Sequence, residues 1–118
     1  MRESPIFTRS YDLLAWLIPR TLNFPKGQRG VMARRVQAQA FALHEALVDA
    51  ALSHDPSPDL LRADASLAKL RTYLRLCRDL RLLSVPQYGY ASQEATQVGK
   101  LLGGWLKSTD NKKAVPAP

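Results

Sequence analysis

Apolar residues recur at helical spacing in four stretches of this chain, separated by proline and glycine. In the first, about 8–23, Leu13, Leu14, Trp16, Leu17 and Ile18 nearly encircle the helix, which predicts heavy burial. Pro19 lies inside it and removes the amide that would bond Ala15, so a kink is expected. After the break Asn23-Phe24-Pro25-Lys26-Gly27, a second helix is predicted over about 27–54. Met32, Ala33, Val36, Ala40, Leu43, Leu47, Ala50 and Ala51 share one of its faces. Phe41, Val48 and Leu52 form another stripe, roughly a third of a turn away. Two stripes call for two partners: the bundle core and, most simply, another subunit. His54-Asp55-Pro56 ends this helix. Ser57 then suits an N-cap, Pro58 the first helical position and Asp59 the positive dipole end, for a third helix over about 58–83. Its core stripe is Ala63, Leu67, Leu70, Leu74 and Cys77. The fourth helix, about 86–107, has a start blurred by Pro86 and Gly89 and one side made of Ala91, Ala95, Val98, Leu101, Leu102 and Trp105. Residues 109–118 are polar or proline-rich and are expected to form a disordered tail. No stretch alternates with period two for long enough to make a strand. The pattern therefore predicts an all-α protein, an antiparallel up-down four-helix bundle in a single domain over 1–108.

A length of 118 residues suits one core, and an apolar fraction of 46% argues against a disordered chain. The longest fully apolar run, Leu13 to Ile18, is too short to span a membrane, and Met1-Arg2-Glu3-Ser4-Pro5 leads into no signal core. The single cysteine, Cys77, falls in an apolar helical pattern and reads as a buried, inert thiol. Together these features predict a cytoplasmic protein without a membrane partner.

Charge changes the picture more. Seventeen Lys and Arg against ten Asp and Glu give +7 and a pI near 10.0. Such a balance fits either a nucleic-acid binder or a chain that is merely well solvated. The third helix holds Arg62, Lys69, Arg71, Arg75, Arg78 and Arg81 against Asp64 and Asp79. Arg71, Arg75 and Arg78 fall within about 60° on a helical wheel and flank the core stripe. Like charges at i, i+4 repel mildly. Two readings stand side by side: an anion-binding ridge extended by Arg81, or cations that complement the helix dipole while their stems cover apolar surface. A second cluster, Lys26, Arg29, Arg34 and Arg35, lies at the start of the second helix, where cations oppose the dipole. It is either a phosphate site at a helix N-terminus or a solvated junction.

Catalytic motifs are missing. His44 and His54 are ten positions apart with no second cysteine to join them, and neither a phosphate-binding loop nor a nucleophile elbow is present. The expectation is a non-enzyme with no cofactor and no metal. Gly99, Gly103 and Gly104 crowd the fourth helix beside Trp105, although each glycine costs about 1 kcal/mol relative to alanine in a helix interior. They imply a close approach by something, either a cofactor, which nothing else in the sequence supports, or another helix, so Gly99, Gly103, Gly104 and Trp105 are expected at helix-packing or oligomer contacts.

Three segments carry a family resemblance. Ala63 to Leu76, with its ladder Leu67-x-x-Leu70-Arg71-x-x-Leu74-Arg75, resembles the third helix of the accessory variability determinant (Avd) proteins of diversity-generating retroelements. Val98-Gly99-Lys100-Leu101-Leu102-Gly103-Gly104-Trp105-Leu106 resembles the end of their fourth helix. Tyr11 through Pro19, followed by Phe24-Pro25-Lys26, resembles their first helix and the break after it. The family sits in a wider four-helix group that includes proteins encoded in intervening sequences of bacterial 23S ribosomal RNA genes. The arginine ladder and the Leu-Gly-Gly-Trp ending favour the retroelement branch. Gly89 and the segment around Asp55 to Asp59 depart from the pattern.

The resemblance implies a barrel-like homopentamer with a basic surface. It would bind the element's reverse transcriptase, template-repeat RNA and complementary DNA (cDNA), and support mutagenic cDNA synthesis and retrohoming. Arg71 and Arg75 match the family's basic third-helix positions, whereas Arg78 and Arg81 rest on helix geometry alone. RNA contact is expected to be phosphate and shape reading, since few exposed aromatics are evident. An intervening-sequence-type RNA-associated bundle and a helical protein-protein adaptor are the alternatives.

Overall fold

The computed structural model describes residues 4–114 and is all-helical, with no strand among them. Ser4 is extended and Pro5 occupies the first helical position, so α1 (Pro5–Leu22) opens three residues earlier than its apolar pattern indicates. It continues through Pro19. Close to the ladder that Pro19 loosens, the Arg20 guanidinium donates to the Trp16 carbonyl at 2.9 Å. Asn23 and Phe24 cap the end through Arg20 and Thr21, and Phe24 is buried against the core.

One rod follows: α2 (Lys26–Gln28), a π-helical turn (Arg29–Ala33) and α3 (Arg34–Leu52). The widened turn lets the adjacent Met32 and Ala33 both enter the core. Then come α4 (Ser57–Asp79) and α5 (Val85–Ala114). Around the bundle the neighbours run α1, α3, α4, α5 and back to α1. Cross-helix partners show that α1 with α3 and α4 with α5 run antiparallel. Ser10 meets His44 and Thr21 meets Gln37 between α1 and α3; Arg71 meets Thr96 and Arg78 meets Tyr88 between α4 and α5. The result is a rod of 60 × 24 × 21 Å. The connections 23–25 and 80–84 lie at one end and 53–56 at the other.

Most of the predicted core stripes are buried, but Leu14, Trp16, Ile18, Leu101 and Trp105 are only half-buried, so α1 is less enclosed than its apolar pattern predicts. Ala51 is exposed, at the edge where α3 leaves its neighbours. Leu13, Leu17, Leu43, Leu47, Leu60, Leu70, Leu74 and Leu102 are all 1% exposed or less, each contributing roughly 2 kcal/mol of burial. Two polar pins set the register of α1 on α3: Ser10 Oγ with His44 Nδ1 at 2.8 Å, and Gln37 Nε2 donating to Thr21 Oγ1 at 2.8 Å. Cys77 is fully buried, and desolvation pushes its thiol up to about 11, away from the reactive thiolate at neutral pH.

Several boundaries differ from the sequence reading. Ser57 is not the cap. Pro56 already has helical angles and accepts from the Leu60 amide, so Ser57 lies inside the helix with a buried Oγ that has no partner among the described residues. α4 stops at Asp79, short of Leu83, because Arg81 takes φ 61° and reverses the chain. The Leu82 amide bonds the Cys77 carbonyl (2.8 Å) and the Arg81 amide bonds the Arg78 carbonyl (3.0 Å), the hydrogen-bond pattern of a Schellman cap. Glycine usually fills this left-handed position, where a Cβ costs about 1 kcal/mol or more. Arg81→Gly is therefore expected to stabilise the fold by about 1 kcal/mol, seen as a melting temperature about 4 °C higher; an unchanged or lower value would contradict this geometry.

α5 runs on to Ala114, so residues 109–114, read as tail, are helical. Thr109 is 8% exposed and prolongs the buried stripe with a polar residue. The rest of the expected tail, 115–118, and the N-terminal residues 1–3 lie outside the described residues.

Candidate nucleic-acid and partner surface

The helix order brings the two basic clusters to one end of the rod. Lys26 and Arg29 begin the second rod there, with Arg34 and Arg35 one to two turns further along. Arg75 and Arg78 end α4 there, and Arg81 sits in the following turn. Over residues 20–35 and 75–92 the chain carries eight cations and one carboxylate, Asp79. The net +7 of this end equals that of the whole chain, so the remaining length is balanced. Part of that balance is direct pairing, as Arg62 shows by bonding Asp59 and lying 3.6 Å from Asp49.

The predicted ridge is only partly free. Arg71 is exposed, and its NH1 donates to Thr96 Oγ1 at 3.1 Å. Arg75 is exposed, with no ion pair among the described residues. Arg78 is half-buried: its fork holds Asp79 Oδ1 at 2.8 and 3.0 Å, and its guanidinium lies 4.7 Å from the centre of the Tyr88 ring. Arg81 is exposed but lies beyond the helix, so it does not extend the ridge at helical spacing. Lys26, Arg29, Arg34 and Arg35 are all exposed. Gly30, Val31, Arg34, Arg35, Ala38, Gln39 and Tyr73 line a shallow cavity of about 360 Å³ between the second rod and α4. An anion held there would meet two guanidiniums from consecutive residues.

The second apolar stripe faces outward as read. Phe41 is 44% exposed, Val48 39% and Leu52 79%. The structure adds Tyr11 of α1, 61% exposed and edge-on to His44 at 6.3 Å. Phe7, Thr8, Tyr11, His44 and Val48 line a groove of about 400 Å³. Sequence reading left Tyr11 out, although a wheel of α1 sets it well away from Leu13.

The glycines of α5 behave differently from one another. A Cβ on Gly99 would meet Leu67 Cδ2 at 3.4 Å, whereas Gly103 and Gly104 face open space. Within the protomer the expected close approach therefore holds for Gly99 alone. Trp105 is half-buried with its ring edge-on to Phe7 at 6.0 Å, so it packs inside its own bundle.

Among the described residues no helix is long and apolar enough to cross a membrane. No curated protein matches the sequence. The structure is similar to the crystal structure of a protein of unknown function from the S23 ribosomal protein family of Bacteroides thetaiotaomicron VPI-5482, with TM-score 0.78 and 16% identity, over 86% of this chain and 98% of that one. At that identity the likeness shows the fold alone. The sequence model of a family described as bAvd-like matches residues 6–109.

Proposed function

The chain belongs to the bAvd-like family, and from that premise we propose that it is the non-catalytic accessory subunit of a diversity-generating retroelement. In this reading it self-assembles as a homopentamer in the cytoplasm. It holds the element's reverse transcriptase and template RNA or cDNA on its basic end and supports mutagenic cDNA synthesis. The observation that carries the reading is the concentration of the entire net +7 at one end of the rod. Selection for solubility alone has no reason to segregate charge, whereas a polyanion needs cations gathered within its reach. Arg34, Arg35, Arg71 and Arg75 supply exposed planar forks for phosphate oxygens. Arg78 holds Asp79 and Tyr88 and serves mainly to order the end of α4.

Assembly would multiply a modest site. Five copies bring roughly +35 together, and affinity rises through effective concentration without new contacts. If about four phosphates are neutralised per site, single-stranded RNA affinity should fall with a log-log salt slope near −3, a roughly 50-fold loss for a fourfold rise in salt. Fluorescence anisotropy across a salt series measures this, and a flat response would remove the electrostatic reading.

A further inference from the structure

Phosphate contacts do not account for one group at the cationic end. Trp16 of α1 and Tyr90 of α5 lie with ring centres 4.9 Å apart and planes tilted by 41°. The Arg20 guanidinium sits 4.0 Å from the centre of the Trp16 ring and is fixed from the side by its bond to the Trp16 carbonyl. Cation, indole and phenol thus form a pre-ordered series where α1 meets α5. About one turn along α5 from Tyr90, Arg9 of α1 pairs with Glu94 at 3.3 Å. Tyr90 is 42% exposed, and its hydroxyl has no hydrogen bond among the described residues. Buried tyrosines usually find a partner for the hydroxyl and give the ring to the core. Tyr90 is instead an exposed residue with a second aromatic beside its ring.

We propose that Tyr90, backed by Trp16 and Arg20, is a stacking platform for an unpaired nucleobase of single-stranded nucleic acid. The proposal rests on the phosphate reading above and adds to it a class of ligand, strands with free bases. Every base has a π face, so the platform accepts any of the four, while duplex bases are stacked on one another and cannot reach it. Tyr90 and Arg20 belong to the same stretches that carry the net +7, so a strand held there by its phosphates has a base within reach. Arg20 and Trp16 already hold each other, so little side-chain freedom is lost when a base arrives. Trp16 and Tyr11 are roughly 140° apart on the α1 wheel, which keeps the platform away from the outward apolar stripe.

The test measures binding of a 12-nucleotide oligouridylate and of a 12-base-pair RNA duplex to the full chain, for the wild type, Tyr90→Ala and Tyr90→Phe at one salt concentration. Tyr90→Ala should weaken oligouridylate binding about tenfold while duplex binding stays unchanged, and Tyr90→Phe should restore the wild-type ratio. If Tyr90→Ala lowers both affinities equally, or neither, the platform is overturned and the phosphate reading stands. Wild-type protein that binds neither probe would overturn both.

Discussion

Under the proposed function, reversal of Arg34, Arg35, Arg71 and Arg75 to glutamate is expected to lower RNA affinity at least about 100-fold and to abolish the proposed support of cDNA synthesis, with the helical circular-dichroism spectrum unchanged. The substitution takes the chain from +7 to about −1 and places the new carboxylates where strand phosphates would lie. All four side chains are exposed, and among the described residues the one side-chain bond the fold loses is Arg71 to Thr96. Arg78 and Arg81 are left in place because one orders the end of α4 and the other occupies its left-handed cap. Anisotropy at low salt measures the affinity, and primer-extension yield in a mixture with the reverse transcriptase measures the support. Retained binding would return these arginines to a solvating role and take the proposed nucleic-acid function with them.

A second large effect should follow from Phe41→Asp combined with Val48→Asp. Both residues lie on the outward stripe and outside the buried core, and covering their remaining exposed surface at a subunit contact would give each roughly 1 kcal/mol. A carboxylate in their place must be desolvated without a partner, which costs more than the lost apolar contact. Light scattering after size exclusion should find the wild type at about five times 13.2 kDa and the double variant at the monomer mass. An assembled double variant would move the subunit contact elsewhere, and a monomeric wild type would end the pentamer proposal. Because multivalency amplifies a modest site, the monomer should also bind RNA more weakly with every arginine intact.

The four-helix organisation was legible because burial acts on periodicity. The stripes Leu67, Leu70, Leu74, Cys77 and Ala91, Ala95, Val98, Leu102 admit one inward face each, and those faces meet. Helix ends were less legible, because they depend on backbone angles that side-chain chemistry constrains weakly. Ser57-Pro58 advertises a cap but folds one position inside the helix, while Ser4-Pro5, a similar dipeptide, does open α1. The stop after Asp79 has no glycine to announce it, since Arg81 takes the left-handed angle. The two basic clusters could be seen singly, but their meeting at one end needed the topology. The platform of Arg20, Trp16 and Tyr90 was invisible because its members come from opposite ends of the sequence and Trp16 reads as core.

The segregation of charge constrains any ring this protein builds. Cyclic symmetry cancels the parts of the protomers' electric moments that lie perpendicular to the axis and adds the parts along it. Unless the rods lie flat around the ring, it inherits an electrical north and south: one face gathers the cations and the other is near neutral. A template or polymerase would then meet a surface with a front and a back, and the assembly could present its cargo from one side only. A dihedral arrangement would erase that distinction.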